Sequence, residues 1–306
     1  GYTSPQHTAR LRVHNLTQCI FSAEYARQLS DAAVAAGVRV RVHLKVDTGM
    51  GRLGFNAKDD PAGTVAALAE AYGLPGLKPV GLFTHFPVAD SVAADDVAYT
   101  EAQFALFLQV RAALAERGCT FRYAHTCNSA ATVAYPRMHM DMVRPGILLF
   151  GCNPSPEVQL PGLKPAFSLK TVVTMVKDIK QGDCISYGRT FTAPRDMRVA
   201  TLAVGYADGY PRLMSGTGVV GIEGRPAPIL GRVCMDQLVV DVTGNEAAAL
   251  GSIATVIGGG SADSIDAVAA KCGTINYEIL CNIGRRVQRV YTEEGRETLL
   301  ADYLEE

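Results

Sequence analysis

A lysine and an arginine flank a turn at the end of one apolar stretch of the sequence. Lys45 lies in a run that indicates a buried strand, and a turn with Gly49 and Gly51 separates it from Arg52. Burial disfavours the charged form of a lysine. Three states of the side chain are therefore possible. It could be charged, and either paired with Asp47 or extended to the strand end; it could be neutral; or it could be covalently modified.

Polar residues or glycines also follow three other predicted strands. In parallel α/β folds, groups at the carboxyl ends of the strands line the active site. A hydroxyl with exposed backbone N–H groups is suited to bind a phosphate, and such groups follow the last two predicted strands of this half. The residues concerned are His85; His125, Asn128 and Ser129; and Arg144, Gly146 and Ile147.

Each of these residues also has an ordinary structural interpretation. Ser129 could cap the following helix, and Arg144 could pair with Asp141. The histidines could be buried without a functional task, and for His43 we favour that interpretation. The convergence of the remaining residues on one end of one sheet favours a functional interpretation of the group.

The elements that would position these residues alternate between strands and helices. Helix start signals lie at Ser22, at Asp60 with Pro61, and at Thr100 with Gln103. This alternation indicates βα units and a parallel sheet. Five strands are too few for an eight-unit barrel, so either the sheet is open or the chain lacks its beginning. The predicted strands are 19–22, 38–47, 80–86, 122–130 and 142–151.

The second half of the chain has a different pattern. A proline-rich segment, 153–165, separates it from the first half, as is typical of a domain boundary. Beyond it, short β-rich runs are broken by Gly, Asp and Pro, and one helix is predicted at 264–271. We therefore predict an α/β domain at 1–160 and an all-β domain at 161–306.

The composition is that of a globular enzyme. The 306 residues are 48% hydrophobic and 19% charged with a net charge of −1, which gives no electrostatic case for nucleic acid or an anionic membrane. No apolar run is long enough for a membrane span, and no signal peptide opens the sequence. The eight cysteines are scattered singly, so neither a metal site nor a disulfide framework is expected. We therefore expect the protein to be located in a reducing cytoplasm.

Seven stretches, in order along essentially the whole chain, resemble bacterial alanine racemase, a pyridoxal-phosphate enzyme of fold type III. The resemblance implies a (β/α)₈ TIM-type barrel followed by a C-terminal β domain, and a homodimer with active sites at its interface. It also implies racemisation of L- and D-alanine, which supplies D-alanine for peptidoglycan. The stretches are VHLKVDTGMGRLGF, HTCNSAA, VRPGILLFG, SYGRTFTA, VGYADGYPR, GRVCMDQLVVDVT and TINYEILC.

The resemblance implies roles in catalysis for four residues. Tyr206 would be the base on one face of the substrate α-carbon, and His125 would orient it. Arg52 would lie beside the substrate and the phenolic oxygen of the cofactor. Lys45 would be a carbamate, an anion that holds Arg52 in place; we favour this form because an ammonium there would repel the guanidinium.

The resemblance also implies the groups that bind cofactor and substrate. Arg144 would donate a hydrogen bond to the pyridine nitrogen, and the backbone N–H of Met235 would meet the substrate carboxylate. Tyr277 argues against serine as the preferred substrate. The full set expected to bind pyridoxal phosphate is His85, Asn128, Ser129, Arg144, Gly146, Ile147 and Tyr277.

One feature of the family is missing from this sequence. Its Schiff-base lysine belongs to a Val-Lys-Ala-Asn-Ala-Tyr-Gly-like motif, and no such motif occurs in these 306 residues. We therefore expect an incomplete barrel, a chain that is inactive by itself, and an N-terminal segment that is absent or supplied separately. The alternatives are a non-catalytic pyridoxal-phosphate protein, a serine racemase, and a basic-amino-acid decarboxylase, although the last lacks its Glu-Pro-Gly-Arg-like loop here.

Overall fold

The computed structural model describes residues 1–304 and divides the chain into two compact units. The first unit is Gly1–Lys164 and the second is Pro165–Glu306. The sequence predicts the division after residue 160, whereas the structure has it after Lys164. Both positions lie within or next to the proline-rich segment.

The first unit is an α/β structure with one parallel sheet. Its strands have the order β1-β2-β4-β5, and β3 pairs with β2. The sheet is open in the part of the chain that the structure describes. The elements are α1 (Thr8–Val13), β1 (Thr17–Ile20), α2 (Ala23–Ala35), β2 (Val40–Asp47), β3 (Phe55–Asn56), α3 (Pro61–Gly73), β4 (Leu77–Phe83), α4 (Ala94–Glu116), β5 (Tyr123–His125) and α5 (Ser129–Ala134).

Strand β2 has two different faces because successive side chains of a strand point to opposite sides. Val42 and Leu44 are fully buried in the core that the sheet shares with the helices. His43 and Lys45 alternate with them and therefore lie on the other face. The strand register aligns Lys45 with Phe83, and Phe83 with His125. Three side chains at the carboxyl ends of neighbouring strands thus share one row.

Two helix starts of this unit are confirmed. Ser22 caps α2, since its hydroxyl accepts a hydrogen bond of 3.1 Å from the backbone N–H of Tyr25. Asp60 caps α3 in the same way by accepting from the N–H of Gly63 at 2.9 Å, and Pro61 follows as the first helical residue. Both residue types are preferred at these positions because they satisfy N–H groups that have no partner within the helix.

The predicted start of α4 at Thr100 is wrong. The helix begins at Ala94, and Ala93 provides no side-chain cap. Thr100 lies inside the helix, where its hydroxyl donates to the carbonyl of Asp96 at 3.0 Å. Gln103 does not form the predicted capping box, because its amide is buried against Thr48 and the carbonyl of His85.

The predicted strand at 142–151 is also wrong. The structure has a short 3₁₀ helix there, Ile147–Phe150, and β3 is the fifth strand of the sheet instead. Pro145 has no N–H to donate to a sheet, and Leu149 is 74% exposed. The apolar run Ile147–Phe150 therefore forms a short helix and not a buried strand.

The second unit is built on a closed, antiparallel β-barrel with strand order β10-β11-β12-β9-β6-β13. The predicted helix at 264–271 is confirmed as α6, and a second short helix, α7, was not predicted. The elements are β6 (Leu169–Ile179), β7 (Cys184–Ile185), β8 (Phe191–Thr192), β9 (Met197–Leu202), β10 (Val219–Ile222), β11 (Arg225–Leu230), β12 (Leu238–Asp241), β13 (Ile253–Ile257), α6 (Ile265–Lys271), α7 (Asn276–Asn282), β14 (Arg289–Glu293) and β15 (Arg296–Ala301).

None of the helices within residues 1–304 is both long and apolar enough to span a membrane. Over the same residues, no group of three or more His, Cys, Asp or Glu side chains could hold a metal ion.

The second unit contains a buried hydroxyl whose removal we expect to be tolerated. Tyr210 is fully buried, and its hydroxyl bonds to no atom within residues 1–304. Because an unsatisfied buried hydroxyl costs about 1–3 kcal/mol, Tyr210→Phe should leave the melting temperature unchanged or raise it. Scanning calorimetry measures the effect. A clear decrease would show that the hydroxyl has a bonding partner, such as a buried water.

Candidate functional site

Arg144 is the centre of the polar cluster in the first unit. Its Nη1 lies 2.5 Å from Nδ1 of His125. Its Nη2 donates to the carbonyls of Thr84 and Thr126, both at 2.9 Å, and lies 3.2 Å from Nδ1 of His85. The guanidinium therefore connects the residues that follow β4 to the residues around the end of β5.

These contacts fix the protonation of two histidines. A guanidinium has only donors, so Nδ1 of His125 and Nδ1 of His85 must both accept. Burial, and then the charge of Arg144, lower the pKa of His125 to about 3 and that of His85 to about 4. Burial also lowers the pKa of Arg144 to about 10, which leaves it charged at neutral pH. Both imidazoles are therefore neutral beside a charged arginine.

The cluster continues through His125 to a residue that the sequence analysis set aside. Nε2 of His125 lies 2.9 Å from Nδ1 of His43. The ring of His125 also stacks on Phe83, with centroids 4.7 Å apart and planes 11° from parallel. Both nitrogens of His125 thus have partners in the first unit.

The expected pair of Arg144 with Asp141 is wrong. The carboxylate of Asp141 accepts a hydrogen bond of 2.7 Å from the backbone N–H of Ala124. The N–H of Asp141 donates to the carbonyl of the same residue at 3.0 Å. Asp141 therefore extends the edge of β5, while Arg144 turns to the histidines.

Lys45 is buried without a carboxylate partner. Its side chain is 5% exposed, and within residues 1–304 it takes part in no ion pair. The carboxylate of Asp47 accepts instead from the N–H groups of Gly49 and Gly51, so the pair expected as one alternative is wrong. Burial lowers the pKa of Lys45, and the nearby charge of Arg52 acts in the same direction.

The turn that carries Arg52 is held from two sides. The hydroxyl of Tyr99, on α4, donates to the carbonyl of Gly49 at 2.8 Å. The hydroxyls of Thr48 and Thr84 are 2.7 Å apart. Arg52 itself is exposed at the end of this fixed turn. The turn is thereby coupled to the segment that also binds Arg144.

The segment that begins α5 uses Asn128, and not Ser129, as the helix cap. Its Oδ1 accepts from the N–H of Ala131 at 3.0 Å, and its Nδ2 donates to the carbonyl of Phe86 at 3.1 Å. The ordinary interpretation of Ser129 as a cap is therefore wrong. Ser129 is 4% exposed, yet none of the hydrogen bonds within residues 1–304 uses its hydroxyl.

The other predicted phosphate-binding segment follows Arg144. The N–H of Gly146 donates to the carbonyl of Arg144 at 3.0 Å. Ile147, the first residue of the 3₁₀ helix, is buried, and its N–H has no acceptor in the described part of the chain. One backbone donor of this segment is thus available to a ligand.

In the second unit, the backbones of Tyr206 and Met235 lie side by side. The N–H of Tyr206 donates to the carbonyl of Cys234 at 3.0 Å, and the N–H of Ala207 donates to that of Met235 at 2.8 Å. Gly205 permits this approach, because a Cβ there would lie 2.3 Å from the carbonyl oxygen of Cys234. The side chain of Tyr206 is 43% exposed, and its hydroxyl bonds to nothing within residues 1–304.

Helix α7, which carries Tyr277, ends next to the turn of Tyr206. The N–H of Gly284 donates to the carbonyl of Asp208 at 3.0 Å, and Arg286 forms an ion pair of 2.8 Å with the Asp208 carboxylate. The structure therefore places nine of the twelve predicted residues in the first unit and three in the second. The nine are Lys45, Arg52, His85, His125, Asn128, Ser129, Arg144, Gly146 and Ile147, and the three are Tyr206, Met235 and Tyr277.

Comparison with solved structures defines the class of protein. The chain matches alanine racemases, whose TIM-type barrel is followed by a C-terminal β domain. For the alanine racemase of Clostridium difficile 630 the TM-score is 0.93 at 34% identity, over 99% of this chain and 78% of that one. For the alanine racemase of Bacillus anthracis with bound L-Ala-P it is 0.89 at 34% identity, over 100% and 78%.

Comparison of sequences defines the family. Residues 1–154 match the alanine racemase N-terminal domain, and residues 166–291 match the alanine racemase C-terminal domain. Alanine racemases of Desulforamulus reducens and Desulfovibrio desulfuricans are 43% and 42% identical, over 95% and 96% of this chain and 77% of each relative. The chain therefore belongs to the alanine racemase family, which confirms the predicted fold class and supports an amino-acid racemase activity.

Some residues of the site were missed by the sequence analysis. His43, Thr84, Thr126 and Phe83 all contact Arg144 or His125. Two of these contacts use backbone carbonyls, which every residue type has and which therefore leave no sequence signal. For His43 a signal existed, since it shares a strand face with Lys45 two residues later.

The two histidines bonded to Arg144 should make the protein less stable in acid. Their folded pKa values are depressed below the ordinary 6.5, so the unfolded chain binds more protons as the pH falls. The melting temperature should drop as the pH is lowered from about 6.5 towards 4. A His125→Asn variant should show a weaker dependence in this range.

Calorimetry across this pH range provides the measurement. His14→Asn, which removes an exposed imidazole, is the matched control. An identical pH dependence in wild type and His125→Asn would contradict the assignment of a buried, neutral His125.

Proposed function

We propose that this protein racemises alanine with pyridoxal phosphate as its cofactor. The observation that carries the proposal is the arrangement of Arg144. Its two terminal nitrogens are held by fixed acceptors, while its Nε–H has no acceptor in the described part of the chain. One donor of a rigid guanidinium is thus left for an acceptor such as a pyridine nitrogen.

The remaining donors of the first unit suit the same cofactor. The hydroxyl of Ser129 and the backbone N–H of Ile147 both lack partners within residues 1–304. A hydroxyl and a backbone N–H are the donors that a phosphate monoester requires. Ser129 and Ile147, with Gly146, would hold the phosphate, while His85 and Asn128 would border the ring.

Pyridoxal phosphate, when bound, supplies an electron-withdrawing system that acidifies the α-proton of the substrate. Arg144 would limit this effect, because a guanidinium donates a hydrogen bond but does not give up its proton. The hydrogen bonds that fix Arg144 to the carbonyls of Thr84 and Thr126 and to the two histidines support this role. A weakened electron sink favours return of the proton over side reactions such as transamination.

Tyr206 would hold and move the proton on one face of the α-carbon. A tyrosine with a pKa near 10 needs cationic or hydrogen-bonding help to act as a base at neutral pH. Its exposed and unpartnered hydroxyl is accessible to a substrate. His125 would assist through Arg144, because its own nitrogens are already bonded. It is therefore a positioning residue in this proposal.

Two groups would contact the substrate. The backbone N–H of Met235, which has no acceptor within the described residues, would meet the substrate carboxylate, and Arg52, exposed at the end of its fixed turn, would lie beside the substrate and the phenolic oxygen of the cofactor. Alanine is the substrate we propose, with serine as the alternative, and racemisation would supply D-alanine for peptidoglycan. A non-catalytic pyridoxal-phosphate protein is disfavoured by the accessible hydroxyl of Tyr206. The homodimer and the separate N-terminal lysine stay predictions.

Tyr206→Phe tests the proposal directly. Loss of a general base should lower the racemisation rate by about 10² to 10⁴-fold, with little change in melting temperature because the hydroxyl has no partner in the fold. The assay measures D-alanine from L-alanine, and deuterium uptake at the α-carbon in D₂O. L-serine is assayed in parallel to separate the two substrates.

Tyr210→Phe is the matched control, because it removes a buried hydroxyl from the same segment. It should retain wild-type activity. Each protein is assayed with and without a separately supplied N-terminal segment of a relative. Cofactor binding without any racemisation or α-proton exchange, under both conditions, would contradict the proposal and favour the non-catalytic alternative.

We also propose that Lys45 is carbamylated. Burial lowers its pKa and so favours the neutral amine, which is the form that reacts with CO₂, and no carboxylate within residues 1–304 is paired with it. The amine nitrogen adds to the carbon of CO₂ and releases one proton. The resulting anion would hold Arg52 and offset the positive charge of Arg144.

Carbon-13 NMR in the presence of labelled bicarbonate tests this modification. Wild type should show one carbamate signal that is lost on acidification and is absent in Lys45→Met. Lys58→Met, which removes an exposed lysine near the same turn, should keep the signal. A signal that persists in Lys45→Met would place the carbamate elsewhere.

A further inference from the structure

His43 ends a chain of hydrogen bonds that begins at Arg144. Nη1 of Arg144 lies 2.5 Å from Nδ1 of His125, and Nε2 of His125 lies 2.9 Å from Nδ1 of His43. His125 is 3% exposed. We call these three side chains the arginine–histidine relay.

The direction of every bond in the relay follows from its first member. Arg144 has only donors, so Nδ1 of His125 accepts and a neutral His125 carries its hydrogen on Nε2. That hydrogen points to Nδ1 of His43, which must therefore accept as well. His43 in turn carries its own hydrogen on Nε2. A single proton arrangement satisfies both bonds.

The position of the His43 ring depends on Gly81. The two residues are paired in the register of β2 and β4. A Cβ on Gly81 would lie 2.5 Å from both Cδ2 and Nε2 of His43. The ring of Tyr123 lies on the next strand, with its centroid 6.2 Å from that of His43. The imidazole therefore occupies a slot that exists only because residue 81 has no side chain.

We propose that His43 is a positioning residue for the reaction, because it accepts the Nε2–H of His125 and thereby holds the His125 ring and the orientation of Arg144. The inference rests on the proposed function, since Arg144 is the residue assigned to the cofactor ring. Without an acceptor at His43, the N–H of His125 would be buried and unpaired, and the ring could turn away from Arg144.

The surroundings of His43 keep it in the accepting form. A second proton on its ring would turn Nδ1 into a donor and set it against the N–H of His125. Burial, followed by the charges of Arg144 and Arg41, lowers the pKa of His43 and opposes that protonation. The relay is therefore maintained at neutral pH.

Two substitutions of similar size separate the role of the acceptor from that of packing. In His43→Asn, the side-chain oxygen can accept from Nε2–H of His125. In His43→Leu, no acceptor remains. Nitrogen-15 NMR of histidine-labelled protein without added cofactor reports which nitrogen of His125 carries the proton, and loss of signals in a His125→Asn variant assigns them.

The relay predicts different results for the two variants. Wild type and His43→Asn should show His125 as the Nε2–H form with a slowly exchanging proton, while His43→Leu should lose that slow exchange. With cofactor, alanine and the separately supplied N-terminal segment, kcat should fall about 10-fold in His43→Leu, as expected for one unpaired buried donor, with a smaller change in KM. His43→Asn should recover most of this loss.

Gly81→Ala provides a second route if His43→Leu does not fold. It keeps the three relay side chains but displaces the His43 ring, so it should reproduce the NMR and kcat changes of His43→Leu. Gly73→Ala, where an added Cβ meets nothing within 4 Å, is the control.

Three outcomes decide between the claims. An Nδ1–H form of His125 in wild type would overturn the inference. The inference would also be overturned if the wild type is active and His43→Leu has the same kcat and the same exchange rate of the His125 proton. A wild type that stays inactive with the supplied N-terminal segment, and in which His125 still shows the Nε2–H form, would overturn the proposed function alone.

Discussion

An arginine side chain can only donate hydrogen bonds, and this restriction organises the polar site of the first unit. Every group around Arg144 must present an acceptor: the carbonyls of Thr84 and Thr126, and one ring nitrogen of each of two histidines. The same restriction sets the proton positions on His85 and His125. Both rings stay neutral because burial and the guanidinium charge oppose their protonation.

The fold supplies these acceptors through the geometry of a parallel sheet. Residues at the carboxyl ends of β2, β4 and β5 stand in one row, so Lys45, Phe83 and His125 become neighbours although they are far apart in sequence. Helix α4 adds a second layer of support, because Tyr99 holds the turn that follows β2. The ends of the strands, the turn after β2 and helix α4 thus fix the positions of the polar side chains at this edge of the sheet.

The second unit holds two of its predicted functional residues by close backbone contact. Gly205 lets the backbone of Tyr206 lie against that of Met235, and the ion pair of Asp208 with Arg286 ties the same turn to the end of α7. The exposed hydroxyl of Tyr206 is therefore carried on a rigid turn. A rigid carrier with an accessible hydroxyl is what proton transfer at a substrate requires.

Local signals in the sequence predicted local features of the structure. Ser22 and Asp60 were recognised as helix caps because each acts on an N–H group three residues away. The same kind of signal failed at Thr100, where Gln103 has a tertiary partner that no local pattern reveals. The position of the His43 ring likewise depends on a glycine in another strand, which the residues around His43 in the sequence do not reveal.

The candidate site was predictable to the extent that strand ends and family motifs identify it. The residues around Arg144 could be grouped because parallel strands bring their carboxyl ends together. Which atoms bond to which could not be predicted, because backbone carbonyls and ring nitrogens are selected only by the folded geometry. Asn128 illustrates this limit, since it takes the cap position that the sequence also allowed for Ser129.

The most direct measurement of the central claim is the protonation of the cofactor ring that we propose to lie next to Arg144. Pyridoxal phosphate labelled with nitrogen-15 at the ring position, bound to the protein, reports this state by NMR. A guanidinium donor predicts the chemical shift of an unprotonated, hydrogen-bonded pyridine nitrogen across neutral pH. A protonated pyridinium signal, or a ring nitrogen whose shift does not change in Arg144→Lys, would contradict the account.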